Sequence, residues 1–239
     1  MKKTAVKNKA PKNKLLKTEL EFIDLNNFKK GIDVSHHQGA IDWDKVSKVV
    51  IPNEPIRFVY IKTTEGATIS DLKAETNAKE AKRVGLPFGY YHFAFPENKE
   101  GDAVTEAKYF IAALRKLPKP TLAKAYVLDL EKNKDALKKA DYLQWILAFI
   151  AEFETYSTEP LIIYGGPSFL NDNLPSTHTL GNYPLWLAHY QTQKPTLPVG
   201  WTEWLMWQWS EKGSVNGIAG NVDLNWASPD FSFSKDKHK

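Results

Sequence analysis

Two carboxylates stand two residues apart in A-Y-V-L-D-L-E (residues 125–131), at the close of an otherwise apolar run. Tyr126, Val127, Leu128 and Leu130 suit a largely buried strand. Its two-residue period puts Asp129 and Glu131 on one face. Acids placed so closely repel each other and resist burial. Their proton affinities are therefore driven apart, so that one can hold a proton near neutral pH while the other is ionised. A proton donor beside a negative charge is the equipment needed to break a glycosidic bond.

Such a pair needs a scaffold that brings it to an open cavity. Apolar segments alternate with amphipathic helices along the chain. Gly31–Ser35, Ile56–Lys62, Pro87–Ala94, Ala125–Glu131 and Leu161–Gly165 read as strands. Asp71–Val84 reads as a helix ended by Gly85. A second helix follows Asp102 as its cap, with Val104, Ala107, Ile111 and Leu114 as its stripe. A third spans Leu137–Phe153. Beyond it, Pro184–Tyr190, Glu203–Trp209 and Asn221–Asn225 are strands separated by loops too short for crossover helices. Strand–helix alternation predicts parallel βαβ units, and eight strands predict closure into an α/β barrel of the (β/α)8 type whose last repeats lack helices.

Barrels of this kind build their sites at the C-terminal ends of the strands. Reading off those ends gives Asp33, Lys62 with Glu65 beyond it, His92, Asp129 with Glu131, Tyr164, His189, Gln208 and Asp223. Polar groups at nearly every strand end predict one polar, aromatic-lined mouth, with four acids as its reactive core. Tyr60, Tyr91, Tyr164, Trp186 and Trp207 could stack on sugar rings, and Lys62, His92 and Gln208 could bond acetamido or hydroxyl groups. In W-T-E-W-L-M-W-Q-W (201–209), Trp207 and Trp209 share one strand face and Gln208 takes the other.

Seven ordered motifs carry a resemblance. G-I-D-V-S-H-H-Q-G at 31–39 opens the series, followed by Y-I-K-T-T-E-G-A-T at 60–68, G-Y-Y-H-F-A at 89–94 and V-L-D-L-E at 127–131. P-L-W-L-A-H-Y at 184–190, M-W-Q-W-S at 206–210 and V-D-L-N at 222–225 complete it. Together they resemble glycoside hydrolase family 25, the Chalaropsis-type lysozymes or N-acetylmuramidases, over almost all of 31–227. The resemblance implies a modified TIM-type barrel, (β/α)5(β)3. It also implies cleavage of the β-1,4 bond between N-acetylmuramic acid and N-acetylglucosamine in peptidoglycan. Glu131 would be the general acid. Asp129 would stabilise positive charge at the anomeric carbon or orient the substrate's 2-acetamido group, and Asp33 and Asp223 would position substrate and tune Glu131. Repulsion within the pair is expected to keep Glu131 protonated and Asp129 charged.

Composition narrows the alternatives. There are no cysteines, which excludes disulfides, zinc–thiolate sites and cysteine nucleophiles. The net charge of +4 is concentrated at the chain ends, so the body is not built for nucleic acid. No apolar run reaches the ~18–20 residues of a membrane span. His36 and His37 are adjacent, which in a strand sends them to opposite faces, and no H-x-H or H-E-x-x-H spacing is present. No metal and no cofactor are expected. Two other readings compete with a muramidase: a non-catalytic glycan-binding barrel and a metal-dependent polysaccharide deacetylase. Residues 1–27, lysine-rich and without an acid before Glu19, are expected to form a flexible basic arm. A barrel is expected over 28–230 and a tail over 231–239. A monomer acting on peptidoglycan outside the cytoplasm or in the cell envelope is expected, although no apolar export segment follows the basic start.

Overall fold

The computed structural model describes residues 27–51, 54–190 and 194–232. The expected basic arm, apart from Asn27, and the expected tail beyond Ser232 lie outside the described residues. Eight strands close into a ring: β1 (Lys29–Val34), β2 (Glu54–Glu65), β3 (Phe88–Phe93), β4 (Tyr126–Asp129), β5 (Ile162–Gly165), β6 (Leu185–Ala188), β7 (Met206–Gly213) and β8 (Val222–Ala227). Neighbours from β1 through β7 pair in parallel, and β8 pairs antiparallel with both β7 and β1 to shut the barrel. Five helices follow the first five strands: α1 (Trp43–Val46), α2 (Ala74–Arg83), α3 (Asp102–Leu114), α4 (Lys139–Glu154) and α5 (Pro167–Asn173). No α-helix follows β6, β7 or β8 among the described residues. The architecture is (β/α)5(β)3, and antiparallel β8 explains the missing helix between β7 and β8, because antiparallel neighbours can be joined by a short loop.

The period-two pattern sorts side chains into two cores. Outward-facing residues such as Ile32, Val59, Ile61, Leu128 and Ile163 pack against Phe110, Phe149, Ile150 and Phe153 of α3 and α4. Inward-facing residues fill the barrel's lower half, with Phe58, Tyr60, Val127, Ile162 and Met206 in one fully buried cluster. Phe231, the first residue of the expected tail, is fully buried in that same cluster, its ring 5.2 Å from Phe58. Small residues make room for the large ones. A Cβ on Gly31 would lie 2.3 Å from the Phe58 ring, and one on Gly89 would lie 2.5 Å from Tyr60.

Helix boundaries depart from the sequence expectation where a polar side chain finds a tertiary partner. Asp71 does not open α2. Its carboxylate accepts the backbone N–H of His36 and that of Lys73, and the helix starts at Ala74. Asp102 is the first residue of α3 rather than its cap. It is buried, accepting N–H bonds from Glu97 and from the Trp145 indole, and Gly101 takes the cap position. Before α4, the Asn133 side chain brackets Leu137 at both its N–H and its carbonyl, delaying the helix to Lys139.

Candidate active site

The inward positions at the top of the barrel converge on one open cavity of about 660 Å³. Each strand delivers its residue by simple alternation: the residue below Lys62 on the same face of β2 is Tyr60, and below Asp129 on β4 it is Val127. Asp33, Asp129, Glu131 and Asp223 all line the cavity, as do Lys62, Tyr91, Tyr164, Trp186 and Gln208.

Asp223 arrives by a route that differs from the expected one. It lies near the start of β8, not at its C-terminal end. Because β8 runs antiparallel, its start meets the other strands' C-terminal ends. Asp223 therefore stands directly opposite Asp33 in the β1–β8 pairing. Like charges directly opposite each other are destabilising. Burial, then the Asp33 charge, pushes Asp223 up to about 9. Asp33 is deeply buried, which raises it too, but hydrogen bonds from Asn225, Gln208 and Asp223 act to lower it.

Those bonds belong to a connected network. Asp33 Oδ2 accepts Asn225 Nδ2 at 2.7 Å and Gln208 Nε2 at 2.9 Å. Gln208 Oε1 receives both Tyr164 Oη at 2.7 Å and Tyr190 Oη at 2.6 Å, and Asn225 Oδ1 receives Trp186 Nε1 at 2.8 Å. The strand-end reading missed Asn225 and Tyr190. Asn225 was within reach of the sequence, since it stands two residues from Asp223 and so shares its inward face.

Asp129 is the last residue of β4 and is buried, while Glu131, one residue past Leu130, is exposed at the cavity mouth. Leu130 N–H donates to Tyr164 O, which extends the β4–β5 pairing by one residue and holds the pair in place. Asp129 is raised well above the usual carboxylate range by burial first and by the Glu131 charge second, with Lys62 opposing. Glu131 is raised as well, chiefly by withdrawal of solvent, while hydrogen bonding with Asp129 pulls it down. Burial thus weighs harder on Asp129 than on Glu131. In the free site both acids are raised, and burial opposes the charge expected on Asp129. Asp129 Oδ1 is buried and lacks a hydrogen-bond partner. Lys62 is held above the floor by an ion pair to Glu65 of 2.6 Å.

Three expected sugar contacts are placed elsewhere. Tyr60 faces inward but one layer too deep, its hydroxyl donating to the Lys124 carbonyl inside the lower core. His92 is next to inward-facing Tyr91 and so faces out. It is fully buried between Thr64 Oγ1 at 2.8 Å and Glu106 Oε2 at 2.9 Å, stacked on Phe149. Trp207, next to inward-facing Gln208, faces out likewise and donates its indole N–H to the His189 carbonyl. His36 and His37 sit in a 3-10 turn after β1, not in a strand, with ring centroids 4.0 Å apart. His36 bonds Asp71, and His37 reaches the cavity wall. Among the described residues, no group of three or more His, Cys, Asp or Glu side chains is arranged to hold a metal ion.

Residues 32–218 match the model of glycosyl hydrolases family 25. The chain belongs to that family. It is 34% identical over 202 residues to Lysozyme M1 of Streptomyces globisporus, covering 82% of this chain and 66% of that one. It is 30% identical over 196 residues to the autolytic lysozyme of Clostridium acetobutylicum, covering 82% of this chain and 55% of the relative. This family member thus spans between about half and two thirds of the length of these two relatives. Among solved structures, the bacterial lysozyme from Streptomyces coelicolor superposes with a TM-score of 0.73 at 31% identity, over 87% of this chain and 93% of that one.

Proposed function

We propose that the chain is a peptidoglycan muramidase that cleaves the β-1,4 bond between N-acetylmuramic acid and N-acetylglucosamine. Glu131 acts as general acid, and Asp129 orients the substrate's 2-acetamido group or stabilises positive charge beside it. The observation that carries this reading is the unpartnered, buried Oδ1 of Asp129 next to a solvent-reachable Glu131. A buried acceptor without a donor is costly unless a ligand supplies one. The N–H of an acetamido group is such a donor. Its arrival favours the ionised form of Asp129, which moves the pair's proton to Glu131, where it can be handed to the leaving oxygen. Substrate binding, rather than repulsion alone, then arms the acid. Family membership and the names of the relatives, two lysozymes, support the substrate class. Such a substrate places the site of action in the bacterial envelope, outside the cytoplasm. No helix among the described residues is long and apolar enough to cross a membrane.

The test is digestion of purified peptidoglycan followed by mass spectrometry of the fragments. Muramic acid at the new reducing ends is expected. Glucosamine at those ends, deacetylated but uncut strands, or binding without cleavage would each defeat the proposal. Glu131→Gln is expected to lower kcat/KM by about 10²–10⁴-fold with an unchanged fold, since it removes a positioned proton donor. Full retained activity would show that another residue is the acid.

A further inference from the structure

Asp33 and Asp223 face each other across one strand pair in a buried cavity, and both cannot be charged there at modest cost. Either could hold the proton, so something must assign it. The amide of Asn225 does so through hydrogen bonds whose direction admits one solution.

An indole N–H is a donor only. The 2.8 Å contact from Trp186 Nε1 therefore fixes the facing Asn225 atom as the carbonyl oxygen, Oδ1. The amide nitrogen must then point the other way, where it meets Asp33 Oδ2 at 2.7 Å. Gln208, the cross-strand partner of Asn225, brings its own amide N–H to the same oxygen at 2.9 Å, with two phenols gathered on its carbonyl side. Two N–H donors on one carboxyl oxygen favour the ionised acid, because a carboxylate oxygen accepts them more strongly than the carbonyl oxygen of a neutral acid does. Trp186 and Asn225 are both buried, so water does not compete for either bond.

We propose that Asn225 is a positioning residue: locked by the Trp186 indole, it makes Asp33 the carboxylate and Asp223 the carboxylic acid of the pair. The inference deepens the muramidase reading and rests on it for the substrate, but not for the charge assignment. Its consequence is that Asp223 meets the substrate as a neutral hydrogen-bond donor. The other charged and titratable groups do not undo the assignment. Asp129, Glu131 and Tyr91 face the pair across the cavity, and a negative charge on any of them disfavours a second ionisation. Glu211 adds to the same effect at Asp223, and Tyr190 touches Gln208 rather than either acid. Lys62, on the far wall, is engaged by Glu65, and His37 lines the same cavity.

Carbon-13 NMR of the side-chain carboxyls in the free protein tests this without reference to activity. At pH 6–7, Asp33 is expected to show the shift of a carboxylate and Asp223 that of a carboxylic acid. The reverse order, or two carboxylates, would overturn the assignment. In Asn225→Leu, loss of a charge-assisted donor is expected to raise the Asp33 midpoint by about 1–2 pH units. Trp186→Phe leaves Asn225 in place but frees its amide, and should move Asp33 in the same direction by less. An Asp33 titration unchanged in both variants would show that Asn225 assigns nothing. On peptidoglycan, the acid limb of kcat/KM in Asn225→Leu should move to higher pH along with Asp33. If the carboxyl titrations behave as expected but the wild type cuts no peptidoglycan, the charge assignment stands and the muramidase reading falls.

Discussion

The Asp129–Glu131 pair shows how one residue of separation can divide labour between identical groups. Leu130 is buried in the outer core and tied to Tyr164, so Asp129 is drawn inside while Glu131 emerges at the mouth. Asp129→Asn keeps the shape but changes what is offered at Oδ1, and it removes the negative charge beside Glu131. Two effects follow. Activity is expected to fall by about 10²–10³-fold, as for loss of a preorganised electrostatic contact. The limb of the pH profile that reports Glu131 should move to higher pH, because the hydrogen bond with Asp129 that pulls Glu131 down is lost. A profile of kcat/KM against pH checks both, and an unmoved limb would show that the two acids titrate independently. At this scale much of the site was legible, because an acid or amide at a strand end needs a cavity to avoid an unpaired burial. Two of the three displaced sugar contacts share one cause. Neighbours on a strand face opposite ways, so choosing Tyr91 excludes His92 and choosing Gln208 excludes Trp207. Tyr60 has the right face, but depth along a barrel axis is not written in a two-residue period.

At the scale of the elements, the positions of the strands and of α2, α3 and α4 were readable from apolar runs to within a few residues, whereas the partners of the polar residues at helix starts were not. Asp71, Asp102 and Asn133 all carry helix-start chemistry, yet each makes a side-chain bond with a tertiary partner: the His36 N–H, the Trp145 indole and the Asn173 side chain. A local propensity of a few tenths to about 1 kcal/mol is overridden by such contacts. The strand interior is more strictly determined. Gly89 lies where β3 passes Tyr60, and an added Cβ would also come within 2.7 Å of the Ala125 carbonyl. That carbonyl accepts the Tyr90 N–H at 2.7 Å, so it cannot retreat without breaking the β3–β4 region. Gly89→Ala is expected to cost about 1–3 kcal/mol by overpacking. Gly85→Ala is the control. Its φ of +74° is unfavourable for alanine, but nothing lies within 4 Å, so only a backbone cost of about 1 kcal/mol is expected. Thermal melts of the two variants decide the matter. If Gly89→Ala melts no lower than Gly85→Ala, the barrel interior is looser than its contacts indicate.

For the whole molecule, closure is what turns eight strand ends into one site, and closure depends on a strand whose direction no periodicity reveals. Antiparallel β8 sets Asp223 against Asp33 and so concentrates four acids in one cavity. That concentration opposes folding. A carboxyl whose folded pKa is raised binds more protons in the native state than in the unfolded chain, so stability falls as pH rises between the two values. For Asp223 that window runs from the ordinary 3.8 to about 9, and Asp33 and Asp129, also raised, act in the same direction. Exposed Asp42 and Asp44, held down by Lys45 and Arg83, act oppositely, but only at and below the ordinary carboxylate range. The melting temperature should therefore be highest in mild acid and decline toward pH 9. Asp223→Asn copies the protonated acid without its charge, so it should flatten that decline. It should stabilise most at pH 8–9, by ~1 kcal/mol or more, equivalent to about 2–4 °C for a chain of this size. Calorimetric melts of the two proteins from pH 5 to 9 provide the check. A wild-type melting temperature that climbs over this range, or a variant that melts lower at pH 8, would mean that the acids are paid for somewhere other than in the fold's stability.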